Sequence, residues 1–197
     1  MPPAGTKLGR TTAAPRAPRG AAARQLAASA APRLISRGPP AEWRLGELTV
    51  VIGPARAELR YAREPVGSAR PAPDAILAGI DRARARLAAR SRRPDELLPA
   101  LAAAYRAVLD RRGGRIGDRV PLVELREELA GTRAQFAWDL ARLRRERRLV
   151  VAGRRIDLGV ATGHAAARRA RVVWIEDDGG GGSYFQSFRL IAQEVRS

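Results

Sequence analysis

The chain has 197 residues, with no cysteine, one histidine and 37 basic against 20 acidic residues, a formal charge of +17. That composition excludes disulfides, cysteine-ligated zinc and thiol nucleophiles, leaves room for one ordinary domain or two small ones, and favours a polyanionic partner, nucleic acid ahead of an anionic membrane. Lys7 is the sole lysine; a GC-rich genome accounts for arginine in place of lysine, but not for the excess of arginine over acids. No apolar run approaches the roughly 18–20 residues of a membrane span and no signal-peptide core is present, so a cytoplasmic protein of bacterial type is expected.

Residues 1–41 contain no acid and are rich in Ala, Pro, Arg and Gly, which predicts a basic, low-complexity, disordered tail. A basic arm, an organelle transit peptide and translation from a misassigned start all fit this composition. A small β-hairpin plus helix unit is expected over 42–93. In "EWRLGELTVVIGPARAELRY", Leu48, Val50 and Ile52, then Ala57, Leu59 and Tyr61, recur at period two around Gly53 and Pro54; this predicts a hairpin with one wet face. "EPVGSARPAP" reads as a loop. From Pro73 to Arg90, Ile76, Leu77, Ile80 and Leu87 keep helical spacing. Arg82, Arg86, Arg90 and Arg93 fall on the other side, giving an amphipathic helix whose arginine face is either solvated or a secondary phosphate-contacting surface.

Residues 94–197 carry the more specific pattern. "RRPDELLPALAAAYRAVLDRRGG" predicts a helix of several turns, with Leu101, Tyr105, Val108 and Leu109 at spacings of three and four, proline in the first turn and Gly113 at the end. Pro121 opens a short helix bearing Leu122, Leu125 and Leu129 and stopped by Gly131. Thr132 starts a longer one, where Thr132 and Gln135 have capping-box spacing and Phe136, Leu140 and Leu143 share a face. A short helix, a tight turn and a longer helix describe a helix-turn-helix. Strand-like "RRLVV", "RVVWIEDD" and "YFQSFRLI" follow. On these segments, above all "VPLVELREEL" and "TRAQFAWDLARLRRERRLVV", residues from about 94 to 192 resemble a prokaryotic winged-helix domain. The expected fold is therefore α+β: a C-terminal winged helix-turn-helix, three helices plus a β-hairpin wing, preceded by the hairpin and helix unit and the basic tail.

The resemblance implies that the third helix, residues 132–148, enters the DNA major groove. Facing away from Phe136, Leu140 and Leu143 are Arg133, Gln135, Trp138, Arg142 and Arg145. Arg133 and Arg142 suit guanine and Gln135 adenine. Asp139 on that side opposes contact with phosphates or base acceptors, and Trp138 is bulky for a groove, so packing under the wing or against a protein is the alternative for it. Arg144, Arg147, Arg148, Arg154 and Arg155 suit phosphates. Arg168 and Arg169 belong to "AGRRIDLGVATGHAAARRARVV", a basic flap that either crosses a backbone or minor groove or stays solvated.

No catalytic constellation stands out. His164 lies among small residues with no carboxylate at ligand spacing, as an ordinary loop histidine does. "DDGGGGS" lacks the lysine and hydroxyl of a phosphate loop, and Glu176, Asp177 and Asp178 beside a hairpin tip make a poor metal cage. A non-enzymatic protein without cofactor or metal is expected. Two functions remain: a duplex-DNA-binding protein of transcription-regulator type, DNA being favoured over RNA, which would form a homodimer; or a non-catalytic subunit of a larger nucleoprotein assembly of phage-defence, CRISPR or replication kind, whose winged helix docks protein or RNA. Gly179 to Ser183 spell a flexible linker, yet alternating residues stand on either side of them, so a native closing hairpin is expected rather than an engineered seam.

Overall fold

The period-two run around Gly53 and Pro54 forms the centre of a five-stranded antiparallel meander. In the computed structural model, which describes residues 33–36, 41–177 and 181–192, strands β1 (Arg33–Ser36), β2 (Ala41–Leu45), β3 (Leu48–Ile52), β4 (Ala57–Tyr61) and β5 (Glu64–Ala69) each pair with the next. Leu48, Val50, Ala57, Leu59 and Tyr61 are buried, as the alternation predicts. Two differences from the sequence expectation stand here. Strand β1 lies within the stretch read as a tail, whose other residues up to 40 are outside the described ones. Strand β5 occupies the expected loop; Pro65 and Gly67 hide it in the sequence, and its place at the sheet edge is where proline is tolerated.

Helix α1 (Pro73–Ala89) lies against β4 and β5 and buries Ile76, Ile80, Ala83 and Leu87. Helix α2 (Pro94–Arg112) starts on proline and ends at Gly113, whose φ of 62° is the left-handed cap that glycine adopts without steric cost. After strand β6 (Val120–Pro121) come α3 (Leu122–Glu128) and α4 (Arg133–Arg145). Thr132 caps α4 by accepting the Gln135 backbone N–H at 3.2 Å. The other half of the expected capping box is missing, because the Gln135 side chain is engaged elsewhere.

The second antiparallel sheet contains β7 (Val150–Val151), β8 (Arg154–Val160), β9 (Val173–Glu176) and β10 (Gly182–Ala192), with a short helix α5 (Gly163–Ala167) between β8 and β9. Its order is β6-β10-β8-β7, and β9 also pairs with β10, from Gly182 opposite Glu176 to Phe185 opposite Val173. The hairpin of β9 and β10 stands where the closing hairpin is expected; its tip, Asp178 to Gly180, lies outside the described residues. Strand β8, the longest partner of β10, falls in the stretch read as a basic flap. Only Ile156 of its seven residues is fully buried, so the alternation that would announce it is weak.

One continuous cluster of buried side chains runs from Leu45 to Leu190 and crosses the expected boundary between 93 and 94. The two expected units therefore share their core, with the Tyr61 and Trp138 rings meeting edge to face at 5.1 Å.

Candidate nucleic-acid interface

Helix α4 is enclosed on its sides. Phe136, Leu140 and Leu143 form one buried stripe, and Ala134, Ala137 and Ala141 form another about a third of a turn away on a 3.6-residue wheel. The small alanines let a neighbour come close, and α4 packs against α1, β5 and β9. Polar side chains between the stripes are used within the molecule. The Arg133 guanidinium pairs with Glu64 at 3.2 Å and donates to the carbonyls of Arg169 and Val172. Gln135 Nε2 donates to Leu87 O at 3.1 Å and to Asp139 Oδ1 at 3.2 Å. Arg142 donates to Arg92 O and lies 3.8 Å from Glu146. Trp138 packs on Tyr61, with the Arg145 guanidinium 5.8 Å from its ring centre.

These contacts correct the expected groove-facing set. Arg133 faces Glu64 of β5 and the 168–172 segment, Gln135 faces α1, Trp138 faces Tyr61 of the meander and Arg142 faces the loop after α1, because the meander, α1 and that loop close over the side of α4 that the helical wheel left open. Asp139, only 6% exposed, accepts hydrogen bonds from Ser91 and Gln135; burial pushes its carboxyl above the usual range, against those bonds and the nearby arginines.

The phosphate candidates divide differently. Arg148 pairs with Asp95 at 2.5 Å, and Arg144 lies 5.2 Å over the Phe185 ring. Arg82, Arg86, Arg90 and Arg93 on α1 and its following loop are exposed, as are Arg145, Arg147, Arg154, Arg155, Arg168 and Arg169. Among the described residues none of these ten forms an ion pair, whereas Arg44, Arg60, Arg84, Arg119 and Arg189 all do. The Arg142–Arg92 contact joins the loop after α1 to α4, and the Arg148–Asp95 pair joins the start of α2 to the turn after α4, so the segment that follows α1 lies beside the end of α4.

Three arginines that sequence reasoning left out also matter. Arg92 donates to Leu129 O in the turn before α4. Arg44 and Glu176 form a 2.7 Å pair, both largely buried, that ties β2 to β9. Arg63 lies 4.4 Å from the Trp174 ring centre and 5.2 Å from that of Tyr184, a cation–π contact between the meander and the closing hairpin. No local sequence signal announces the last two, since their partners are more than a hundred positions away.

His164 is exposed in α5. Among the described residues no group of three or more His, Asp or Glu side chains is placed to hold a metal ion, and no helix is long and apolar enough to cross a membrane. Comparison with family models, with curated proteins and with solved structures gave no match.

Proposed function

We propose that the protein binds nucleic acid, without catalysis, through the phosphate backbone and by exposed arginines rather than by insertion of α4 into a groove. The observation that carries this reading is a set of ten exposed arginines without an acidic partner among the described residues, on α1 and its following loop, the end of α4, the start of β8 and the segment before β9; Arg56, Arg70, Arg106 and Arg115 are exposed and unpaired elsewhere on the surface. Exposed guanidinium groups left unpaired release counterions when they meet phosphates, and that term is independent of sequence. Helices α2, α3 and α4 followed by β8 and β10 keep the order of three helices and a hairpin, which supports reading residues 94–197 as a winged helix, with residues 161–181 inserted in the wing.

The enclosure of α4 favours the assembly-subunit reading over a regulator of palindromic sites, because base readout requires an element free to enter a groove. Anisotropy titrations of random duplex and single-stranded probes across a salt series test the proposal. Binding is expected to weaken linearly in log–log form as salt rises, and absence of binding at low salt refutes it. Light scattering separates the two contexts, a monomer being expected of the subunit and a two-fold dimer of the regulator.

A further inference from the structure

A cleft of about 410 Å³ opens between β5, α1 and the first turn of α4, a size within the range of small-molecule sites. Arg86 and Arg90 reach its mouth from α1 and Arg133 from α4; Glu64 is the sole acid lining it and is already paired with Arg133 at 3.2 Å. Arg86 is held by donating to Val66 O at 2.6 Å, which leaves most of its fork unused. The Arg90 guanidinium has no partner among the described residues. Pro65, Val66 and Leu87 give the cleft an apolar floor. A second hollow of about 290 Å³ adjoins it across Arg90 and Gln135, and the shielded Gln135 Oε1 accepts no hydrogen bond.

Excess positive charge at the mouth and an apolar floor behind it suit a ligand with an anionic end and a flat, weakly polar body. We propose that the cleft binds a phosphorylated nucleotide unit, its phosphate held between Arg86 and Arg90 and its base laid on Pro65, Val66 and Leu87. The choice of phosphate among anions rests on the nucleic-acid reading above. A planar fork of donors meets a phosphate bidentately, and the first-turn N–H groups of α4 add to the same field. A free mononucleotide and the phosphorylated end of a strand present the same chemistry.

Calorimetry of the full chain with AMP, inorganic phosphate, and one oligonucleotide prepared with a 5′-phosphate or a 5′-hydroxyl tests this. AMP is expected to bind more tightly than inorganic phosphate. Arg86→Gln with Arg90→Gln is expected to weaken AMP by roughly tenfold or more, while Arg106→Gln with Arg115→Gln, exposed and away from the cleft, leaves it unchanged. Should loss of the Arg86 bond to Val66 unfold the double variant, Arg90→Gln alone serves, since that side chain is exposed and unpartnered. Tighter binding of the 5′-phosphorylated strand, competed by AMP, assigns the cleft to strand ends; AMP binding without that preference assigns it to free nucleotide. No AMP binding, or equal binding by the variants, overturns the cleft even where oligonucleotides still bind in a salt-dependent way. Conversely, AMP binding lost in the variant, with no oligonucleotide binding at low salt, keeps the cleft and removes the backbone reading.

Discussion

Arg147 sits just past the C-cap of α4 at a φ of 55°, and the N–H of Arg148 closes on Leu143 O at 2.9 Å, the geometry of a Schellman ending. Glycine is the usual occupant there, because a side chain in the left-handed region costs about 1–2 kcal/mol. Among the described residues Ala62, Arg63, Ala130 and Ala152 also have positive φ, and Arg147 is in addition one of the exposed arginines without an acidic partner. Arg147→Gly is therefore expected to raise stability by about 1 kcal/mol in denaturant melts and to weaken nucleic-acid binding, lowering the salt slope by about one. A stabilised variant with unchanged affinity would remove Arg147 from the interface.

Glu176 illustrates a different balance at the same scale. Burial pushes its carboxyl from 4.5 up to about 7, against the pull of Arg44. A carboxyl with a raised folded pKa holds its proton more tightly when folded, so its contribution is greatest below the unfolded value and is lost as pH climbs through the folded one. Stability is expected to fall between about pH 4.5 and 7, by on the order of 3 kcal/mol from this group. Glu176→Gln should flatten that part of the profile in urea midpoints measured across the window. Asp139, shifted in the same direction by burial, adds to the low-pH end.

Among the elements, the closing hairpin depends on Gly182 for close approach. A Cβ there would stand 2.7 Å from Ile175 O, part of the backbone paired with β10, and 2.8 Å from the Trp174 ring. Gly182→Ala is expected to lower stability by roughly 1–3 kcal/mol, read as a drop in melting temperature. The glycine run that resembles a linker thus ends in a residue with a packing requirement.

The sequence made the helices and the central hairpin legible because their large apolar residues keep a clear period: Leu101, Tyr105 and Val108 in α2, Leu48 and Val50 in β3. It hid what covers α4. The covering side of that helix is lined by Ala134, Ala137 and Ala141, and alanine reads as neutral although it admits a close neighbour. The side of α4 that points away from Phe136, where the sequence suggests base-reading residues, faces the meander, α1 and the loop that follows it. Strand β5 was hidden by Pro65 and Gly67, and β8 by its arginines and Gly159, where pairing rather than alternation defines the strand.

For the whole molecule, the continuous cluster across position 93 predicts one cooperative unfolding transition for the full chain. A fragment spanning 94–197 would expose Ala137, Ala141 and Trp138 and is expected to lack a sharp thermal transition by circular dichroism. A fragment melting as sharply as the whole would show that residues 94–197 fold independently.

Strand β10 pairs with β6, β8 and β9, so three elements made earlier wait for one made after them all. On the ribosome the meander and the helices can form as they emerge, but the second sheet has no centre until residues 182–192 are free of the exit tunnel. Until then β8 and the uncovered flank of α4 are exposed while synthesis continues at about 5–20 residues per second. The timing of one strand thus decides when a strongly basic nascent chain stops presenting adhesive surface to the RNA around it.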